Sequence, residues 1–307
     1  MQKHLDAKSR NVLLVLATRA SVVTALVLIT AKAAAWFYSG SASLLGSLVD
    51  SLMDSMASVV NLLAVRYALQ PPDEEHRFGH GKAEPLAGVI QAAFILGSAV
   101  FLLLYCVERL VMNPMLPVQH TDIGIAVMVF SIVATLLLVI FQRYVVSRTQ
   151  SSAIRADALH YRGDILMNGS VLLALIFSAR GMPWLDSVLG IAIAFYIAWG
   201  AVHIGYDALQ SLLDRELPDD VKQTIVELAH ANPKVRGIHN LRTRQSGGVY
   251  IIQMHLEMDD DTPLIKAHAI ADNVENRIRK AFPQSDVMIH QDPHSIAHLE
   301  HPEEFGH

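Results

Sequence analysis

Six apolar runs, each long enough to cross a bilayer, constrain this chain more than any other feature. They occupy residues 11–37, 43–69, 83–111, 123–146, 153–178 and 184–206. A membrane span needs about 20 consecutive apolar residues, and inside lipid the backbone can satisfy its hydrogen bonds only as a helix or a closed barrel. Runs of this length are helices, so residues 1–208 read as an all-α bundle of six transmembrane helices. The composition agrees. Hydrophobic residues make up 52% and charged ones 17%, with a mean hydropathy of +0.34, too apolar for an ordinary soluble protein. A net charge of −5 argues against nucleic acid as a partner. The single cysteine, Cys106, excludes an intramolecular disulfide and any multi-cysteine metal site. The first run is too long for a signal-peptide core and is expected to be retained.

Lysine and arginine set the orientation. Lys3, Lys8 and Arg10 precede the first run; Arg66, Arg77 and Lys82 surround the second connector; Arg143, Arg148 and Arg155 surround the fourth. The other connectors carry only Arg109 and Arg180 at their edges. By the positive-inside rule both termini face the cytoplasm of a multi-pass membrane protein. Arg19 and Lys32 lie within the first run; each is expected to snorkel to the nearer interface, with no transport role.

The second and fifth runs are interrupted by ionisable residues, which inside spans mark functional sites. Asp50 and Asp54 form an i, i+4 pair in one, His160 and Asp164 in the other. On helices each pair points to one side, so two facing helices offer three carboxylates and one imidazole around a point. The alternative is two interhelical pairs that merely lock helices together. Three hard oxygens and one borderline nitrogen suit Zn²⁺, Fe²⁺, Mn²⁺, Co²⁺ or Cd²⁺ rather than Cu⁺, Mg²⁺ or Ca²⁺. A second cluster, Asp73, His76 and His80, stands in the glycine-bearing connector after the second run. It can bind a metal in a loop, or be a solvated turn.

From residue 209 the apolar residues become periodic. Residues 219–231 and 263–282 have helical spacing; 238–245, 249–258 and 286–291 read as strands, the first two joined by a hairpin at Ser246-Gly247-Gly248. The order helix–strand–strand–helix–strand predicts a small cytoplasmic α+β domain, 209–293, with its helices on one face. His255 on the second strand and His290 and Asp292 on the third can share polar faces, His239 opens the first strand, and His268 borders a helix stripe. These could form one or two metal sites, within one chain or across a dimer, or be scattered surface histidines. The tail, 294–307, is polar and expected to be loose; it carries His294, His298, His301 and His307.

Taken together these motifs resemble the cation diffusion facilitator family over nearly the whole chain. Leu48-Val49-Asp50-Ser51-Leu52-Met53-Asp54 and Leu159-His160-Tyr161-Arg162-Gly163-Asp164 are similar to its second- and fifth-span motifs, and Phe78-Gly79-His80-Gly81-Lys82-Ala83-Glu84 to its loop signature. The Asp-Asp-His-Asp set resembles the bacterial zinc/iron-type branch of zinc and ferrous-iron exporters. The resemblance implies a homodimer in the bacterial inner membrane that exports a divalent cation by proton antiport. Zn²⁺ is favoured, with Fe²⁺ and Cd²⁺ open. It also implies a ferredoxin-like, metallochaperone-like cytoplasmic domain. His239, His255, His268, His290, Gln291 and Asp292 would form a regulatory metal site at the dimer interface, with a loop metal on Asp73, His76 and His80. Lys82 and Asp214 would be a charge pair joining the two domains.

The charge of the cage points the same way. Three bare carboxylates inside a membrane domain are strongly disfavoured, so metal release should be accompanied by uptake of about one or two protons. A membrane-bound zinc enzyme and a metal sensor are the rival functions. An enzyme needs an open coordination position and a nearby acid or base, and no spare carboxylate is evident here. A sensor would not need ionisable ligands inside its spans.

Overall fold

Long helices account for the first part of the chain and a three-stranded sheet with helices for the rest. The structure, a computed structural model, describes residues 7–39, 42–112, 122–178 and 184–300. Among these residues the long helices are α1 (Ala7–Ser39), α2 (Ala42–Ala68), α3 (Ala83–Met112), α4 (Asp122–Thr149), α5 (Ser152–Ser178) and α6 (Trp184–Leu212). Each contains or closely matches one apolar run. Among the described residues, four segments are long and apolar enough to cross a membrane: Lys8–Tyr38, Ala83–Glu108, Ile125–Thr149 and Ser187–Leu212. The expectation of six is met by four on this measure, taken over the described residues alone; α2 and α5 interrupt their apolar character with Asp54, His160 and Asp164.

The ends of these elements follow local chemistry. Pro71 and Pro72 follow α2, where their rings and missing N–H prevent its continuation. Ser151 caps α5, its Oγ accepting from Ile154 N at 3.2 Å. α5 packs against α2, α3 and α4. Its contact with α6 depends on small residues. Leu159 lies against Gly200 and Ile197 against Gly163, where a Cβ would come within 2.9 Å of the leucine or isoleucine side chain and push it aside. Val23, Leu26, Phe94, Phe101, Leu137 and Trp199 remain exposed, as lipid-facing side chains do.

Two units separate in the fold. One comprises Lys8–Gln70 and Lys82–Leu209; the other gathers the connector Pro71–Gly81 with the chain from Gln210 onward. The connector, grouped with the membrane part in the sequence reading, thus belongs with the sheet. It meets the hairpin turn closely: a Cβ on Gly81 would lie 2.6 Å from Gly247 N, and Gly247 itself has φ +62°.

In the sheet unit the order is α7 (Asp219–His230), β1 (Gly237–Ser246), β2 (Val249–Met258), α8 (Leu264–Ala281), β3 (Ser285–Pro293) and α9 (His294–Glu300). β1 pairs antiparallel with β2, and β3 adds to β2 in parallel through the α8 crossover. Ile252, Met254 and Leu256 of β2 are buried with Ile225 of α7 and Val274 and Ile278 of α8. That core covers one face of the sheet and leaves the alternate residues for the site. The tail does not start loose. Asp260 accepts from Ser295 N at 3.0 Å and Ala297 is buried, which fixes the short helix α9. His301 and His307 lie outside the described residues, as does the side chain of His298.

Candidate metal sites

α2 and α5 lie side by side and bring Asp54 together with His160 and Asp164. His160 Nε2 is 2.9 Å from Asp54 Oδ1 and 3.9 Å from Asp164 Oδ2, and the three candidate ligand atoms lie within 4.8 Å of one another. One turn along, Ser58 Oγ of α2 meets Tyr161 OH of α5 at 3.0 Å, which holds the pair of helices in register. His160 Nε2 is buried and makes no hydrogen bond of acceptable angle among the described residues. A buried imidazole nitrogen within 3.9 Å of two carboxylates offers a donor set for a divalent cation. Asp50 lies on α2 one turn before Asp54; its side chain lies outside the described ones. Asp54, His160 and Asp164 line a cavity of about 850 Å³, which Lys32 and Asn168 also line.

Lys32 departs from expectation. It does not run to an interface; it is buried, and its Nζ donates to Ser51 Oγ at 2.6 Å. Asp157 was missed altogether. This wholly buried carboxylate of α5 accepts from Ser21 Oγ at 2.5 Å and Gln142 Nε2 at 2.6 Å on Oδ2, and from Gln91 Nε2 at 3.1 Å on Oδ1. It ties α5 to α1, α3 and α4. Four polar residues in four apolar runs were the available signal, but nothing in their spacing says that they meet.

The connector folds around Asp73. Its Oδ1 accepts from the backbone N–H groups of Glu75 (3.0 Å) and His76 (2.6 Å). His80 Nε2 lies 3.2 Å from Oδ2, and the two imidazole rings are 4.5 Å apart. The His76 backbone N–H holds the Asp73 carboxyl below the usual carboxylate range. His80 is buried while Asp73 and His76 are exposed, so the three expected residues form a half-open cluster rather than a fully solvated turn.

The sheet register aligns His239, His255 and His290 in one row across the three strands. Asp292 is their common partner. Its Oδ2 lies 2.7 Å from His255 Nδ1 and 3.3 Å from His239 Nε2, and its Oδ1 lies 3.0 Å from His290 Nε2. A register shift between His239 and Arg242, with Asn240 at φ +50°, sits beside the site, where bulges commonly re-aim side chains. Gln291 is not brought to this cluster: it pairs with Leu256 of the core, on the face of β3 opposite His290 and Asp292, and its Oε1 is buried without a hydrogen-bond donor among the described residues. His268 is not brought to this cluster within the chain. It is exposed on α8, 3.6 Å from Asp272 of the same helix. Glu257 was not singled out as functional, yet it is almost wholly buried between His239 Nδ1 (3.0 Å) and His294 Nδ1 (2.8 Å). A carboxylate there leaves Nε2 of His239 to face the cluster. Asp214 is held by Arg244 Nη1 at 3.0 Å, and Arg244 stacks on Phe78 of the connector. Lys82 belongs to the helical unit.

Helices apolar enough to cross a membrane, an Asp–His cluster between two polar-bearing helices, and a sheet unit with a second Asp–His cluster define a metal-handling membrane protein. Family models make the assignment specific: the cation efflux transmembrane domain matches residues 18–213 and the cation efflux protein cytoplasmic domain matches 217–294. The chain belongs to the cation efflux, or cation diffusion facilitator, family. It is 52% identical to the cation-efflux pump FieF of Klebsiella pneumoniae over 277 residues, 90% of this chain and 92% of that one. It is likewise 52% identical to FieF of Cronobacter sakazakii over 280 residues, 91% and 93% of the two chains. A solved structure of CzrB in its zinc form is 28% identical and covers 27% of this chain and 94% of that one, with a TM-score of 0.26. This chain is thus a cation efflux transporter with a transmembrane domain and a cytoplasmic domain built on a small sheet.

Proposed function

We propose that the protein exports a divalent transition-metal ion, Zn²⁺ first, with Fe²⁺ and Cd²⁺ as further substrates, from the bacterial cytoplasm in exchange for protons. The observation that carries this reading is the approach of the buried His160 Nε2 to Asp54 and Asp164 inside the helical unit. Asp50, one turn before Asp54 on α2, is the fourth proposed ligand. The relatives named as pumps point to transport rather than to catalysis.

In this reading α1 to α6 all cross the membrane and both termini are cytoplasmic. The polarity of α2 and α5 is the cost of carrying the ion site. Alternating access exposes the cage to each side in turn. Metal bound to three carboxylates leaves one negative charge; the empty cage would carry three, and on the order of one or two protons replace the metal. Those protons return inward, so an inward proton gradient drives metal out.

The connector cluster and the sheet cluster are proposed as cytoplasmic metal sites that sense and bias the transporter. The three-imidazole row on Asp292 fits a borderline cation. His268, exposed on α8, is proposed to complete that site from a second copy in a homodimer. Lys82 and Asp214 are proposed to link the membrane and cytoplasmic domains, with Arg244 sharing Asp214.

The test is purified protein in proteoliposomes loaded with a pH dye and offered Zn²⁺, Fe²⁺, Cd²⁺ and Mn²⁺ in turn. Zinc movement with opposite proton movement, accelerated by an imposed pH gradient, supports antiport. Zinc flux indifferent to the gradient, with no proton counter-flow, rejects it.

A further inference from the structure

A lysine within a membrane-crossing helix ordinarily extends to the water interface. Lys32 instead turns inward, 7% exposed, to donate to Ser51 Oγ. Ser51 precedes Asp54 on α2 by three residues, so the two share a helix face about 5–6 Å apart at Cβ. Lys32 lines the same cavity as Asp54, His160 and Asp164. The ammonium is therefore placed beside the ion path, by a hydrogen bond to the very helix that carries Asp54.

We propose that Lys32 is a tethered counter-cation of the transport cavity and a determinant of its metal affinity. The inference rests on reading Asp54, His160 and Asp164 as the transport site. With Asp50, Asp54 and Asp164 ionised, the cage carries three negative charges; the Lys32 ammonium brings the cavity to two. A divalent cation then makes the cavity neutral rather than leaving it negative. When the ion is away, the ammonium shields the carboxylates; when it is present, the ammonium repels it and favours release. A transporter needs that second effect, because an ion held too tightly does not leave. Coulomb repulsion between an ammonium and a divalent ion roughly 10 Å apart is worth on the order of tenfold to hundredfold in affinity after partial screening.

The experiment measures initial zinc flux against zinc concentration in proteoliposomes for wild type, Lys32→Gln, Lys32→Arg and Asp54→Ala. Loss of the charge in Lys32→Gln should lower KM at least about tenfold and reduce the maximal rate; Lys32→Arg, which keeps the charge, should stay near wild type. A role confined to clamping α1 to α2 would instead leave KM unchanged in Lys32→Gln. A rescue separates charge from shape. In a Cys106→Ser background, Lys32→Cys treated with an aminoethyl methanethiosulfonate should recover the wild-type KM, and the same variant capped with a neutral methylthio group should not. If Lys32→Gln fails to fold, Ser51→Asp pairs the ammonium instead and should lower KM in the same direction. An unchanged or raised KM in the folded charge-removing variant, or equal recovery with both reagents, overturns the proposal. If Asp54→Ala is inactive while Lys32→Gln keeps the wild-type KM, only this inference fails. If Asp54→Ala transports normally, the transport-site reading beneath it fails as well.

Discussion

Asp54 Oδ1 on α2 and His160 Nε2 on α5 lie 2.9 Å apart, joining the two long helices of the bundle that carry the acidic motifs. The approach is short, yet it lacks hydrogen-bond angles, and Asp164 flanks it at 3.9 Å. In the proposed cycle a metal ion bridges these atoms, so replacing the one nitrogen ligand should change ion preference. His160→Asp makes the cage all-oxygen and harder, and should shift relative flux from Zn²⁺ toward Mn²⁺. Competition between the two ions in proteoliposomes measures this; unchanged relative rates would place selectivity elsewhere.

Asp157 should behave as a structural hub rather than a ligand. Asp157→Ala leaves the donors of Ser21, Gln91 and Gln142 without their shared acceptor. Hydrogen bonds between membrane helices are each worth about 0.6–1.7 kcal/mol, so three of them predict a loss of about 2–5 kcal/mol. Thermal melting in detergent should fall by several degrees, with Asp157→Asn milder. A melting temperature equal to wild type would contradict the hub.

Glu257 should matter to metal binding in the sheet unit without contacting the ion. It holds His239 Nδ1, and positioning carboxylates of this kind are worth about 10–100-fold in metal affinity. Gly237 is part of the same arrangement, since a Cβ there would come within 2.6 Å of the Glu257 carboxylate. Calorimetry with Zn²⁺ on the full chain should show Glu257→Gln weakened at the cytoplasmic site, and the His255→Ala/Asp292→Ala double variant lacking it. Zinc titrations identical to wild type in both variants would refute the register argument.

The positions of the elements were legible, and much of what connects them was not. Apolar runs and periodicity located the long helices, with α1 starting four residues earlier and α6 ending six residues later than their runs, and each strand to within two residues, because burial imposes a period that a sequence displays directly. Pairing order is different. That β3 lies parallel to β2, which makes Asp292 the partner of three imidazoles, depends on which edge the α8 crossover reaches. Asp157 was invisible for a similar reason, since its Ser21 and Gln91 partners lie 136 and 66 residues away. Lys32 was misread because snorkelling is the ordinary outcome, and only the position of Ser51 on a neighbouring helix reverses it. The cluster Asp54, His160 and Asp164, the proposed membrane ligands, could be found because i, i+4 spacing is itself geometry.

The connector has a pH signature. The carboxyl of Asp73 is held below the usual range by the His76 N–H, so ionised Asp73 favours the folded turn. Its contribution is fully present above the ordinary carboxylate pKa of about 3.9 and is lost as pH falls through the lowered value. Carboxyl NMR titration should place Asp73 below the ordinary carboxylate value of about 3.9, and Asp73→Ala should loosen the turn at neutral pH. A titration at or above that reference would contradict the hydrogen-bond geometry.

The central claim, that Asp54 and His160 hold the transported ion, is tested most directly by zinc flux through Asp54→Ala in proteoliposomes, alongside wild type of equal folding and oligomeric state. Removing one charged ligand from the cage should abolish transport, because no neighbouring carboxylate can take its place. Near-normal zinc flux in that variant would show that the ion travels by another route.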